Sequence, residues 1–214
     1  MDACLNYPFF FWVRDTLFNQ KDMTNLRTYY NEWGKNIDSN KLNYMANFCD
    51  NHDNARTLSW GGNWDDKKKH HRACHAMAMT SVGIPITYYG AEQYFAGGND
   101  PQNREILWRN LDRSSDMYAF LGKINAARKK FSIWDQPQVE RYVDSEFYAY
   151  SRGKFLVCLT NKVSGGVSKT ISYHPFSNGQ VICNIFWPDT DCITVTGGFS
   201  VYLMNGEVKI YVPK

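Results

Sequence analysis

From Ser115 to Phe131 the apolar residues Met117, Phe120, Leu121, Ile124 and Ala127 recur at offsets of three and four, behind a Ser/Asp start and ahead of a basic last turn. That spacing predicts an amphipathic helix. A second helix is expected in "WDDKKKHHRACHAMAMTSVG", capped by Asp65 or Asp66, with Ala73, Met77 and Thr80 or Ser81 on one side and Gly83 as its stop. "DDKKKHHR" then reads as a solvated helix face. The runs "KLNYMANFC" and "GIPITYYG" are short, apolar and bounded by turn residues, which predicts buried strands. Strand, polar loop and helix follow one another twice over residues 42–130, the order of parallel βα units.

The texture changes after Phe131, where "SIWDQPQ" breaks the helical period. From residue 141 onward, "FYAYSRG", "KFLVCLTNK", "KTISYH", "GQVICNIF", "CITVTGG", "FSVYLMNG" and "EVKIYV" alternate with Gly, Asn and Pro turns. These predict an antiparallel sandwich or Greek-key module able to fold by itself. The expected organisation is α/β over residues 1–135 and all-β over 136–214, with the boundary between 131 and 140.

Composition narrows the function classes. With 24 Lys plus Arg against 21 Asp plus Glu, the net charge of +3 is no electrostatic footprint for nucleic acid or an anionic membrane. Even Phe9 to Val13 is cut by Arg14 and Asp15, so no run reaches the roughly 20 apolar residues of a membrane span. A soluble chain without a secretory signal segment is expected. The six cysteines form no CxxC pair, and the five histidines do not complete a zinc site with them, so no metal site is expected. Cys183 and Cys192 flank a Pro/Asp turn and are compatible either with a local disulfide or with two packed thiols. Aromatics at 16% suit stacking on sugar rings as well as ordinary core filling.

The densest polar cluster is "FCDNHDNAR", Phe48 to Arg56, where a strand-end loop is expected; such loops carry the chemistry of βα units. This segment resembles the Asn-His-Asp segment at the end of the seventh barrel strand in alpha-amylases and their glycoside hydrolase relatives. "GIPITYYGAEQYFAGGNDPQNRE" is similar to the eighth-strand segment of the same family, particularly in fungal-type enzymes, and "CLNYPFF" to the segment at the sixth strand. The resemblance implies the last three βα units, about strands 6 to 8, of a TIM (β/α)8 barrel followed by a β-sandwich domain.

It also implies roles. Asp53 would be the carboxylate that binds and distorts the sugar being cleaved, stabilising the transition state, and His52 would bind the same sugar. Asp100 and Arg104 would contact sugars further toward the non-reducing side. Without the resemblance, an Asn/His/Asp cluster reads as a capped turn, and Asp100 and Arg104 as surface residues. Glu92 is expected to orient its loop rather than act as the acid, and Glu105 to pair with Arg109 or remain solvated.

Retaining glycoside cleavage needs a carboxylate nucleophile and a carboxylic acid. The family carries these after its fourth and fifth strands, and no matching segment precedes residue 48. The reading is therefore a C-terminal portion of an α-1,4-glucan hydrolase acting on starch or glycogen, inactive alone. Its calcium ligands would lie elsewhere, and its complete form would be a secreted, lysosomal or vacuolar monomer. Rival readings are a related transglycosylase or maltogenic enzyme, a non-catalytic glucan-binding remnant, and a truncation unable to fold.

Overall fold

A computed structural model describes residues 3–36 and 39–214. Strands β1 (Cys4–Leu5), β2 (Met45–Asn47) and β3 (Ile84–Pro85) pair in parallel in the order β1-β2-β3, with Cys4 opposite Met45 and Ala46 opposite Ile84. Helices α1 (Tyr7–Val13), α2 (Thr24–Asn36) and α3 (Ser39–Leu42) lead from β1 to β2, and α4 (Trp64–Thr80) leads to β3. Helix α5 (Asp116–Phe131) follows β3 and its long loop. Asn6 starts α1 by accepting the Phe9 N–H, while Pro8 occupies the first turn, where its missing N–H costs nothing.

Three local expectations are corrected. Asn63, not Asp65 or Asp66, caps α4, because its side-chain oxygen takes the Asp66 N–H at 2.9 Å. The face "DDKKKHHR" is only partly solvated: His70 and His71 are buried, while Lys69 pairs with Asp66 and Arg72 with Asp116. Gly83 does not end the helix, which stops at Thr80. It stands at φ +123°, and a Cβ there would lie 2.5 Å from the Met45 carbonyl oxygen and 2.8 Å from the Asn47 amide, so glycine is what lets the chain pass β2 so closely.

β2 is buried throughout as expected, but Ile84 of β3 is 42% exposed. β3 is an outer strand of the three-stranded sheet and is short, so one side of it faces outward.

The remainder is antiparallel. β4 (Gln138–Val143), β5 (Phe147–Arg152), β6 (Phe155–Thr160), β8 (Val181–Asn184), β9 (Cys192–Thr194) and β11 (Lys209–Pro213) form one sheet in the order β4-β5-β6-β11-β8-β9. β7 (Gly166–Ile171) and β10 (Phe199–Met204) form a second. Phe147, Ala149, Leu156 and Cys158 pack against Val167, Ile171, Phe199, Val201 and Leu203, so the two sheets share a core.

β5 and β6 are buried at all twelve of their positions, six in each strand, which one sandwich core does not explain. Their opposite face carries Tyr148, Tyr150, Phe155 and Val157 into the same cluster as Phe9, Leu26, Met77 and Ile124 of the helices. Polar bonds follow the same seam. Arg152 donates to the backbone carbonyls of Ser81, Trp134 and Gln136, and the Thr80 and Tyr150 hydroxyls meet at 2.5 Å. The helical and β-rich halves thus have one continuous interior.

Candidate functional site

All three parallel strands end on the same side, and the loops leaving them converge. Asn6, after β1, donates to Asn47 Oδ1 at 2.7 Å and to the Tyr29 hydroxyl at 2.8 Å; Asn47 in turn donates to the Val82 carbonyl at 2.9 Å. These buried amides fix the strand ends relative to one another, and a buried amide left unpaired would be costly.

On this floor stands the loop after β2. Asn51 Oδ1 accepts the backbone N–H groups of Asp53 and Asn54 at 3.1 and 2.9 Å, an Asx turn that folds the loop back on itself. Its amide nitrogen donates to the Tyr7 hydroxyl at 3.0 Å, which donates to Asp53 Oδ2 at 3.3 Å. Tyr7 lies edge-on to Phe48, with ring centroids 5.1 Å apart, so the phenol is held by packing as well. Asp53 and His52 project outward, each side chain more than half exposed, with His52 Nε2 3.3 Å from Asp53 Oδ1.

The loop after β3 closes the other side. Asn103, wholly buried, donates to the carbonyls of His52 and Asn54 at 3.0 and 2.9 Å. Arg104 reaches the His52 carbonyl at 3.4 Å and pairs with Asp100 at 3.0 Å. His52, Asp53, Asp100 and Arg104, separated by up to 52 positions, therefore occupy one patch. It offers two carboxylates, a guanidinium and an imidazole on an exposed surface, a donor and acceptor set suited to paired hydroxyl groups.

Behind the patch, Arg56 is completely buried. Its Nε donates to Glu105 Oε2 at 2.6 Å and to the Asn103 carbonyl at 3.2 Å, and its guanidinium carbon lies 4.4 Å from the Tyr88 ring centroid. Glu105 also takes the Gly97 N–H at 2.6 Å. The expected Glu105–Arg109 pairing is thus replaced by a buried one, because Glu105 turns inward beneath the loop. At Glu92 the backbone carbonyl accepts the Ser115 hydroxyl at 2.8 Å.

Two disulfides brace these elements. Cys183–Cys192 closes the β8–β9 hairpin, the first of the two alternatives open for that pair. Cys49–Cys74 joins the end of β2 to α4 and had no signal in the sequence, since 25 positions separate its partners.

Tyr7, Asn51, Asn103 and Arg56 are also site residues that pattern reading did not find. All four lie inside the segments that carry the resemblance, but only their packing in the fold shows what each one holds. Another missed group lies deeper: Asp50, His71 and His75 are buried together, with ligand-type atoms all within 4.8 Å of one another. Its sequence sign was a pair of histidines four apart on a helix. Burial, with His75 alongside, pushes the His71 imidazole pKa down to about 3, so it is neutral at ordinary pH.

Comparison with known proteins places this geometry in context. Residues 1–155 match the family model of the alpha amylase catalytic domain. An alpha-amylase of Saccharomycopsis fibuligera is 33% identical over 178 residues, covering 79% of this chain and 34% of its own length. A beta/alpha-amylase of Paenibacillus polymyxa is 29% identical over 223 residues, covering 99% of this chain and 18% of its own length. The chain therefore spans about a third or less of these two curated relatives. A solved alpha-amylase structure from Malbranchea cinnamomea superimposes with a TM-score of 0.89 at 24% identity, over 100% of this chain and 46% of that one. Among the described residues no helix is long and apolar enough to cross a membrane.

Proposed function

The chain belongs to the alpha-amylase family of glycoside hydrolases, and from that premise we propose that it supplies one wall of an α-glucan-cleaving site. Residues 1–135 are the part of the (β/α)8 barrel carrying strands six to eight, and residues 136–214 are the C-terminal β-sandwich domain. The open outer sides of β1 and β3 support this reading, since a closed barrel pairs both. The complete enzyme performs retaining endo-hydrolysis of α-1,4-glucosidic bonds in starch, glycogen or maltooligosaccharides.

One observation carries the reading: loops from all three strand ends converge to hold His52 and Asp53 outward beside Asp100 and Arg104. Asp53 binds the hydroxyls of the sugar undergoing cleavage, and its bonds strengthen as the ring flattens toward an oxocarbenium ion, which lowers the barrier. Tyr7 and Asn51 hold Asp53 in place for this. His52 contacts the same sugar, while Asp100 and Arg104 bind sugars further along the chain.

The reaction also needs a nucleophilic carboxylate and a carboxylic acid on opposite sides of the bond. We assign these to barrel strands outside these 214 residues, so the isolated polypeptide does not turn over. Calcium in the complete enzyme is likewise held elsewhere: among the described residues the compact cluster of metal-ligating type, Asp50 with His71 and His75, offers one carboxylate and two imidazoles, whereas calcium takes six to eight oxygens. The two disulfides support an oxidising, secreted or vacuolar setting. The complete enzyme is assigned as a monomer.

The test is to incubate the purified polypeptide with soluble starch and follow reducing ends, then repeat with a polypeptide carrying the remaining barrel strands. Hydrolysis only in the second case, producing linear maltooligosaccharides, is expected. Robust turnover by the 214 residues alone sinks the division of carboxylates. Cyclic products point to transglycosylation, and glucan binding without turnover in either case to a binding remnant.

A further inference from the structure

Asp50, His71 and His75 take no part in the sugar-facing patch, yet they are almost wholly removed from solvent. His71 and His75 lie one turn apart on the same face of α4, with ring centroids 4.3 Å apart, and Asp50 faces them from the end of β2. Their hydrogen bonding is uneven. Asp50 Oδ1 accepts the Thr57 N–H at 2.8 Å, but Oδ2 has no partner and stands 3.8 Å from His75 Nε2, beyond hydrogen-bond range. Among the described residues neither ring nitrogen of His75 has a hydrogen-bond partner. Buried polar atoms are rarely left in this condition without a reason.

His71 is different in a telling way. Its Nε2 lies 3.1 Å from the Ala91 carbonyl, and a carbonyl only accepts, so this nitrogen carries the proton. Nδ1 then presents its lone pair, now taken by the Thr57 hydroxyl at 2.8 Å. A ring nitrogen fixed as N–H by a backbone carbonyl while the other points into a cluster is the usual arrangement around a metal-binding histidine. The Cys49–Cys74 disulfide, one residue from Asp50 on one side and one from His75 on the other, pins the two segments together.

We propose that Asp50 Oδ2, His71 Nδ1 and His75 Nε2 form a buried site for a divalent transition-metal ion of zinc type. Two imidazoles and one carboxylate suit zinc, which takes ligands at about 2.0–2.2 Å; tetrahedral ligands then lie roughly 3.4 Å apart, and the three ligand atoms, already within 4.8 Å of one another, reach that spacing by side-chain rotations that draw them together by up to about 1.4 Å. The Thr57 hydroxyl swings off His71 Nδ1 as the ion enters. One carboxylate offsets part of the ion's charge, and the nearby Arg56 is already paired with Glu105. The ion clips the loop bearing His52 and Asp53 to α4, a structural role distinct from the sugar chemistry.

The experiment uses the full chain stripped with a chelator and titrated with zinc(II), bound metal being counted by mass spectrometry after gel filtration. One equivalent is expected, together with a rise in Tm, and cobalt(II) in its place should give the intense visible absorption of tetrahedral coordination. His75→Gln and Asp50→Asn should each weaken binding by about 100-fold or more, whereas His52→Gln, on the exposed patch, should leave it unchanged. No bound equivalent, or binding retained in both buried variants, overturns the site. X-ray absorption at the zinc edge of the unmutated chain decides the matter even where a variant fails to fold: two imidazoles support the site, fewer overturn it.

Discussion

Arg56 and Glu105, 49 positions apart, meet at 2.6 Å beneath the polar patch, with the guanidinium fully enclosed and the carboxylate only a quarter exposed. The pair ties the loop after β2 to the loop after β3, and both loops carry candidate sugar ligands. Removing Glu105 alone strands a buried cation, which typically costs about 3–5 kcal/mol. Glu105→Gln should therefore lower chemical-denaturation stability far more than the double variant Arg56→Met/Glu105→Gln, in which no charge is left behind. Equal losses in the two would contradict a dominant charge-burial penalty.

Asp53 presents the opposite case: its side chain is more than half exposed, and among the described residues its carboxylate meets the Tyr7 hydroxyl and the neighbouring His52 ring. Asp53→Asn should change Tm little. In the assembled enzyme it should reduce kcat by roughly 10²–10³-fold, in line with losing one transition-state-aimed interaction, with KM for maltooligosaccharides much less affected. A stability loss matching the activity loss would reassign Asp53 to a structural role.

The isolated segment 136–214 should not unfold cooperatively. Excision would expose Tyr148, Tyr150, Phe155 and Val157, each at most 1% accessible in the intact chain, and full burial of such side chains is worth about 1.5–3 kcal/mol apiece. Calorimetry of the segment beside the full chain gives the answer. A sharp transition in the segment would show that the sandwich core suffices.

Cys49–Cys74 constrains the end of β2 against α4. Replacing both by Ala should cost about 2–4 kcal/mol and should raise hydrogen exchange at Asp50 to Asn54 more than at β5 or β6. The same exchange experiment after opening Cys183–Cys192 should affect mainly the β8–β9 hairpin.

Acid sensitivity should centre in part on Asp191. Burial alone would raise its carboxyl pKa, but Lys209, Asn184 and the Tyr211 hydroxyl outweigh burial and hold the pKa below the usual carboxylate value. A carboxyl more acidic in the folded state contributes stability that is complete above its unfolded pKa, near 4, and is lost as pH falls through the folded value. Asp191→Asn should cost roughly 1–3 kcal/mol at pH 7, and the cost should shrink as the pH is lowered toward about 3. Urea unfolding at the two pH values tests the sign.

Helix α5 and the change to β structure were legible because each rests on local periodicity. Met117, Leu121, Ile124 and Ala127 recur at helical spacing whatever they pack against, and the buried and exposed alternation of β10 follows from the two-residue pleat. The patch of His52, Asp53, Asp100 and Arg104 was legible for another reason: its side chains lie in two short continuous segments whose motif survives without the fold. Tertiary structure alone decided the partners. Glu105 could face Arg109 or Arg56, Cys49 could remain a thiol, and Asp50 gave no sign of meeting His71 and His75, because such choices depend on distances closed by β2, α4 and the β3 loop rather than on neighbours in the chain. The complete burial of β5 and β6 was hidden in the same way: one strand face reports its own alternation, but whether a second layer covers the other face is settled only when the helices dock.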